Sequence, residues 1–281
     1  MMKFNLKTLG TIFVAVTMVA SLALITGCGG AEKKTDNKKV EKKTYVVATR
    51  GTFRPFTYVD DKGVLTGYDI EILKEVEKRN PDIKFEFKTM SVDAGFLGLE
   101  SGQVDIIANQ ITFNKQRAEK SIWTKEVNNY TSRKIAVRGN ENNINSINDL
   151  QGKKVAVTAS SEVARQLEEY NKTANPKIEF VFTDKGFTEC ANLVITGRAD
   201  ATPQYEVSID DAKKILGLDI KAVGPVIASD PTFFALKKSE KGQALANKID
   251  ATVKEMRADG TLKKLSEKIL GKDYSIPQLK A

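Results

Sequence analysis

The chain has 281 residues, with 44 Lys+Arg against 36 Asp+Glu, no histidine and two cysteines. The missing histidine removes the commonest general base and the commonest zinc ligand together. No cysteine cluster or Gly-rich phosphate loop stands in for it, so no catalytic residue, metal or cofactor is expected. Much of the positive excess lies near the N-terminus. From Thr44 onward 36 basic side chains face 33 acidic ones, too even a balance for a nucleic-acid partner.

Lys3 and Lys7 precede an almost uncharged apolar run, Leu9 to Ile25, which leads into Ile25-Thr26-Gly27-Cys28. A positive start, a short apolar run and small residues describe a secretory signal. The run is shorter than the ~20 residues needed to span a bilayer. A cysteine directly after the small residues resembles a bacterial lipoprotein signal, which implies cleavage before Cys28 and a lipid on its thiol. Residues 28–43 hold one aliphatic residue beyond alanine, Val40, and no aromatic one. They cannot bury enough surface to offset chain entropy, so a tether is expected. Cys190 is then alone and is expected as a small buried side chain.

Beyond the tether, short β-branched runs alternate with amphipathic stretches. Residues 45–49 (YVVAT) read as a strand. In GYDIEILKEVEKRN, Asp69 is expected as a helix N-cap, with Ile70, Leu73 and Val76 on one face. Residues 84–90 alternate as a strand, 95–102 form a short helix with a glycine stop, and 105–110 form a buried strand. A second series follows: a strand at 153–158, a helix whose first turn carries Ser160, Ser161 and Glu162, a strand at 177–183, and a helix at 187–200. A short strand comes next, then a strand at 233–238 and helices at 240–257 and 261–270. This order predicts two α/β lobes. Residues 44–134 with 232–281 would form lobe 1 and 135–231 lobe 2, with hinge crossings near Lys134 and Asp230.

Five segments carry a resemblance: TRGTFRPFTYVDDKGVLTGYDIEI, LESGQVDIIANQITFNKQRAEKSIWT, INDLQGKKVAVTASSE, ITGRADA and ADGTLKKLSEKILGKD. In this order, behind a lipoprotein signal, they resemble the polar-amino-acid family of periplasmic-type solute-binding proteins. The resemblance implies a type II, two-lobed periplasmic-binding-protein fold that closes on a small ligand at its hinge and delivers it to an ABC permease. It implies no enzymatic activity, and a monomer is expected.

The resemblance also implies roles for residues. Arg117, five residues after Thr112, would hold the ligand α-carboxylate, a task suited to a planar guanidinium fork; Thr112 would add a side-chain and a backbone bond. Ser160 and Ser161 would grip the same carboxylate from the second lobe, where a helix start offers free N–H groups. Phe53 would pack on the ligand side chain and Phe56 in the core, with Pro55 fixing the turn. Backbone carbonyl groups at Gln110 would hold the ligand amine, and IANQIT is closest to the cystine-binding branch.

Three positions depart from the family pattern. Arg50 stands where relatives binding basic amino acids or cystine carry an acid, and relatives binding glutamate or aspartate carry an arginine. Val92 replaces a second aromatic ring. Tyr205 replaces the aspartate that pairs with the ligand ammonium, and Glu206 next to it could serve instead. Cystine is expected first, on the resemblance of IANQIT and GTFRPFTY, and glutamate or aspartate second, on Arg50. Two other classes share the fold: a dehydratase-like enzyme, for which Glu206 is the candidate acid/base, and a ligand-sensing module acting through a partner.

Overall fold

The computed structural model describes residues 41–229 and 231–278. The expected signal segment, Cys28 and the tether up to Val40 lie outside the described residues. The first strand, β1 (Lys43–Thr49), starts inside the expected tether. Lys43 N–H donates to Asp82 O over 2.8 Å, and the strand runs parallel to β5 from the Lys43–Ile83 pair onward.

After β1 come three short strands, β2 (Thr52–Phe53), β3 (Thr57–Val59) and β4 (Leu65–Thr66), then α1 (Tyr68–Arg79) and β5 (Ile83–Thr89). The chain continues through α2 (Val92–Ser101), β6 (Ile106–Thr112), α3 (Lys115–Ala118) and β7 (Ser121–Trp123). The second series is β8 (Ser132–Arg138), β9 (Lys154–Thr158), α4 (Glu162–Tyr170), β10 (Glu179–Thr183), α5 (Phe187–Ile195), β11 (Ala201–Tyr205), α6 (Glu206–Ile215) and β12 (Ile220–Ser229). Then β13 (Thr232–Lys237), α7 (Glu240–Ala258) and α8 (Thr261–Leu270) follow.

Two five-stranded sheets result, ordered β5-β1-β6-β13-β7 and β10-β9-β11-β8-β12. Each has three parallel strands and an antiparallel strand beside them. In both cases that neighbour, β13 or β8, begins directly after the chain has come from the other sheet. Two parallel strands of each sheet, β1 and β6 in one and β9 and β11 in the other, bring residues at or just beyond their C-terminal ends to a shared crevice, the place where α/β sheets carry ligands.

Helix α1 shows how the sequence sets this up. Ile70, Leu73 and Val76 are fully buried, as their spacing predicts. Leu73 and Val76 join Ile249, Val253 and Met256 of α7 in one core cluster. Each such side chain contributes roughly 1.5–3 kcal/mol through burial. Asp69, however, is not the N-cap. The cap is Gly67, with φ 118°. A Cβ there would stand 2.3 Å from Phe56 O, so only glycine lets the chain turn this close to the hairpin. Asp69 lies inside the first turn, fully buried, and bonds to β6 instead.

Boundaries shift elsewhere for local reasons. Helix α2 begins at Val92, not 95, because Ser91 Oγ accepts from Ala94 N and caps it. Helix α5 stops at Ile195, ahead of Gly197 with φ 73°. Ser160 is outside α4, and Ser161 is its N-cap, with Oγ accepting from Ala164 N over 3.1 Å.

Candidate functional site

The crevice between the sheets encloses about 740 Å³ not filled by atoms, part of it open to solvent. Its walls bring together Arg50, Phe53, Gln110, Thr112, Arg117, Ser160, Ser161 and Tyr205. Of the residues singled out in the sequence as ligand contacts, Glu206 stands apart from these walls. It opens α6, and its Oε1 pairs with Lys134 Nζ at 2.9 Å.

Arg117 comes from the single turn of α3, which Asn114 caps by accepting from Arg117 N over 3.1 Å. Its guanidinium lies 4.3 Å from the centre of the Phe96 ring. Nη2 donates to Ser160 O over 3.1 Å, across the crevice, and lies 3.7 Å from Asp93 Oδ1. Burial lowers its pKa, with Asp93 and Glu162 opposing. A fork-shaped cation at the mouth of a partly dry cleft suits a carboxylate.

Arg50 follows the C-terminal end of β1. Its N–H donates to Asn109 Oδ1 over 3.1 Å, and Nε is buried without a hydrogen-bond partner. A Cβ added to Gly186, at the start of α5, would stand 3.4 Å from Arg50 Nη1. The guanidinium therefore reaches the opposite sheet, and glycine leaves it room. Burial lowers its pKa, with Cys190, Asp93 and Asp184 opposing. A desolvated guanidinium of this kind calls for an acceptor.

Phe53 stacks on Tyr205, with ring centres 6.2 Å apart and planes at 13°. Phe56 is fully buried and meets both rings, at 5.3 Å and 5.6 Å. Tyr205 of β11 thus meets the β2–β3 hairpin through ring contacts, and the Arg133 guanidinium lies 5.5 Å from its ring centre.

Gln110 and Ser160 are the two non-glycine residues with positive φ among the described residues, at 52° and 56°. Both line the crevice, one from each sheet. Left-handed backbone costs an ordinary residue roughly 1–2 kcal/mol, and such strain concentrates at ligand clamps. Val92 also lines the wall.

Several wall residues were not anticipated as such: Arg133, Thr158, Cys190, Thr202 and Asn109. Cys190 is buried, as expected, but it also faces this crevice. Its Sγ lies 3.9 Å from Thr158 Oγ1, and burial pushes the thiol up to about 11. Arg133 sits opposite Tyr205 in the antiparallel β8–β11 ladder, a pairing no local pattern reveals. The wall therefore carries three arginines and one carboxylate, Glu162. Glu162 accepts from Arg165 Nε at 2.9 Å and from Gln166 Nε2 at 3.0 Å.

Comparison with known proteins gives a consistent picture. The family model for bacterial extracellular solute-binding proteins, family 3, matches residues 45–272. The chain is 36% identical over 268 residues to the L-cystine-binding protein TcyK of Bacillus subtilis, covering 95% of this chain and 98% of that one. It is 36% identical over 261 residues to the L-cystine-binding protein TcyJ of the same organism, covering 92% and 95%. A solved structure concerning glutathione import via GshT and the cystine ABC importer TcyBC of Streptococcus mutans superposes with a TM-score of 0.77. It shares 30% identity and covers 84% of this chain and 98% of that one.

Proposed function

The chain belongs to family 3 of the bacterial extracellular solute-binding proteins and has their two-lobed, type II binding-protein fold, and from that premise we propose that it captures cystine for an ABC importer. In this reading residues 44–134 with 232–281 form one lobe and 135–231 the other. The ligand bridges them and stabilises the closed state, which the permease then accepts.

The observation that carries the reading is the charge balance of the cleft. Arg117 and Arg50 enter from the same sheet and both extend to the opposite one, while the one wall carboxylate, Glu162, is held by Arg165. Cystine has two carboxylates joined through an apolar disulfide. One carboxylate meets Arg117, Thr112, Ser160 and Ser161, and the other meets Arg50. The Phe53 face and the thiol of Cys190 border the disulfide. The cystine-binding relatives support the same ligand. Glutamate or aspartate is the second reading, because Arg50 would also suit a single distal carboxylate.

An enzymatic role is disfavoured by the same geometry. Glu206, the candidate acid/base, is paired with Lys134 outside the cleft wall, and Glu162 is engaged by Arg165. Cys28 would carry the lipid that holds the protein at the membrane, next to its permease. Replacing Cys28 with serine should release the protein from the membrane fraction with ligand binding intact.

The direct test is a thermal-shift screen against the amino acids, cystine and glutathione, since a ligand that binds only the folded state raises the midpoint by mass action. Cystine should give the largest rise. A larger rise with lysine or arginine would refute the assignment.

A further inference from the structure

The ligand's ammonium groups carry positive charge, and the cleft wall is short of carboxylates to meet them. Tyr205 occupies the place expected for an acid, Glu206 is turned to Lys134, and Glu162 is turned to Arg165. One further anion stands behind a residue of the wall. Asp69 is fully buried in the first turn of α1. Its Oδ2 accepts from Gln110 N over 2.7 Å and its Oδ1 accepts from Gln110 Nε2 over 2.6 Å. These short bonds tie one carboxylate to the main chain and the side chain of a single residue.

Two features of Gln110 point toward a ligand. It is held at φ 52°, where an L-residue is strained. Its Oε1 is shut off from solvent, in a residue only 7% exposed, and has no hydrogen-bond partner. A buried acceptor left empty is costly. Both Asp69 oxygens accept from Gln110 donors, so the amide faces Asp69 with its NH₂ group. The oxygen is then the atom left over, on a residue that lines the cleft.

We propose that Asp69 and Gln110 form a relay that selects for the ligand's ammonium group: Gln110 Oε1 accepts from the ammonium, and the buried Asp69 carboxylate orients and polarises that amide from behind. The proposal rests on the reading of the cleft as an amino-acid site. Gln110 touches the ligand, and Asp69 is a positioning residue. Hydrogen bonds aligned in this way strengthen one another, and an ammonium beyond the amide favours the charged form of Asp69. The relay supplies negative charge to an arginine-rich cleft without placing a carboxylate in its wall. A carboxylate there would pair with Arg50 or Arg117 when the ligand is absent.

The test is calorimetry with two ligands: cystine, and dithiodipropionic acid, which is cystine without its two amino groups. In the wild type, cystine should bind at least about tenfold more tightly. Asp69→Asn puts an amide donor opposite the Gln110 donors, so the Gln110 amide must turn and present NH₂ to the ammonium. Cystine affinity should then fall about 10- to 100-fold, while dithiodipropionic acid keeps its affinity. Gln110→Met removes the acceptor and keeps the main-chain bond to Asp69. It should produce the same selective loss, and it carries the test if Asp69→Asn does not fold. Equal weakening of both ligands in both folded variants would mean a purely structural role and overturn the relay. So would a wild type that binds the two ligands equally, although the cleft would still be a dicarboxylate site. Binding of neither ligand by the wild type would overturn the cystine reading itself, and the relay with it.

Discussion

Arg117 Nη2 donates to the main-chain oxygen of Ser160 over 3.1 Å, tying a turn of the first sheet to the loop before α4 of the second. The bond uses one edge of the guanidinium. A ligand carboxylate would be held between that cation and the free N–H groups at the start of α4. Arg117→Ala should abolish measurable capture while leaving the fold intact, with a loss on the order of 2–5 kcal/mol for removing one partner of a desolvated charge pair. Calorimetry showing unchanged affinity would take Arg117 out of the site.

Arg50 sets specificity in this account. Arg50→Glu should weaken cystine and glutamate and bring lysine closer to them, because a carboxylate replaces the cation at the far end of the cleft. The comparison of all three ligands in variant and wild type decides it. If the ranking does not move, Arg50 is not a specificity residue.

A second contact between the sheets lies away from the cleft wall. Arg54 Nε pairs with Asp211 Oδ2 at 2.9 Å, and Ser208 Oγ donates to Arg54 O at 2.9 Å. The paired side chains are 22% and 16% exposed, so the ion pair is worth about 1 kcal/mol or less. Asp211→Ala should therefore lower ligand affinity by no more than about fivefold, by favouring the open form. Small-angle scattering of the ligand-free variant should show a larger radius of gyration than wild type. Identical scattering and affinity would show that this contact does not bias closure.

Burial of Asp69 has a consequence for stability. Its pKa is pushed up to about 7, with burial outweighing the two hydrogen bonds from Gln110. A carboxyl whose folded pKa lies above its unfolded value stabilises fully below the unfolded value, and that contribution is lost as pH rises through the folded one. The ligand-free protein should therefore lose stability from this group between about pH 4 and about pH 7. Asp69→Asn should remove that part of the slope. Denaturant midpoints across this range that run parallel for wild type and variant would show that Asp69 does not titrate there.

How much of this was legible in the sequence depends on how local each signal is. Alternation and helical spacing marked the parallel strands and α1, because burial of Ile70, Leu73 and Val76 follows from spacing alone. Thr112 and Arg117 share one strand-turn segment, so a motif carries both. Arg133 reaches the cleft only through its pairing with Tyr205 across β8 and β11, a contact between residues far apart in sequence. Asp69 looked like a cap because an acid near a helix start is usually one. Its partner, 41 residues away, could not be read locally. Glu206 shows the limit of sequence neighbourhood: it follows Tyr205 directly, yet it opens α6 and pairs with Lys134 outside the cleft wall.

Capture of cystine by this cleft is tested by a calorimetric titration of the purified protein with cystine, with glutamate and lysine in parallel. Cystine should bind saturably and one-to-one, glutamate more weakly, and lysine, which would place its ammonium beside Arg50, most weakly. Tighter binding of lysine than of cystine, or no heat with cystine at all, would contradict it.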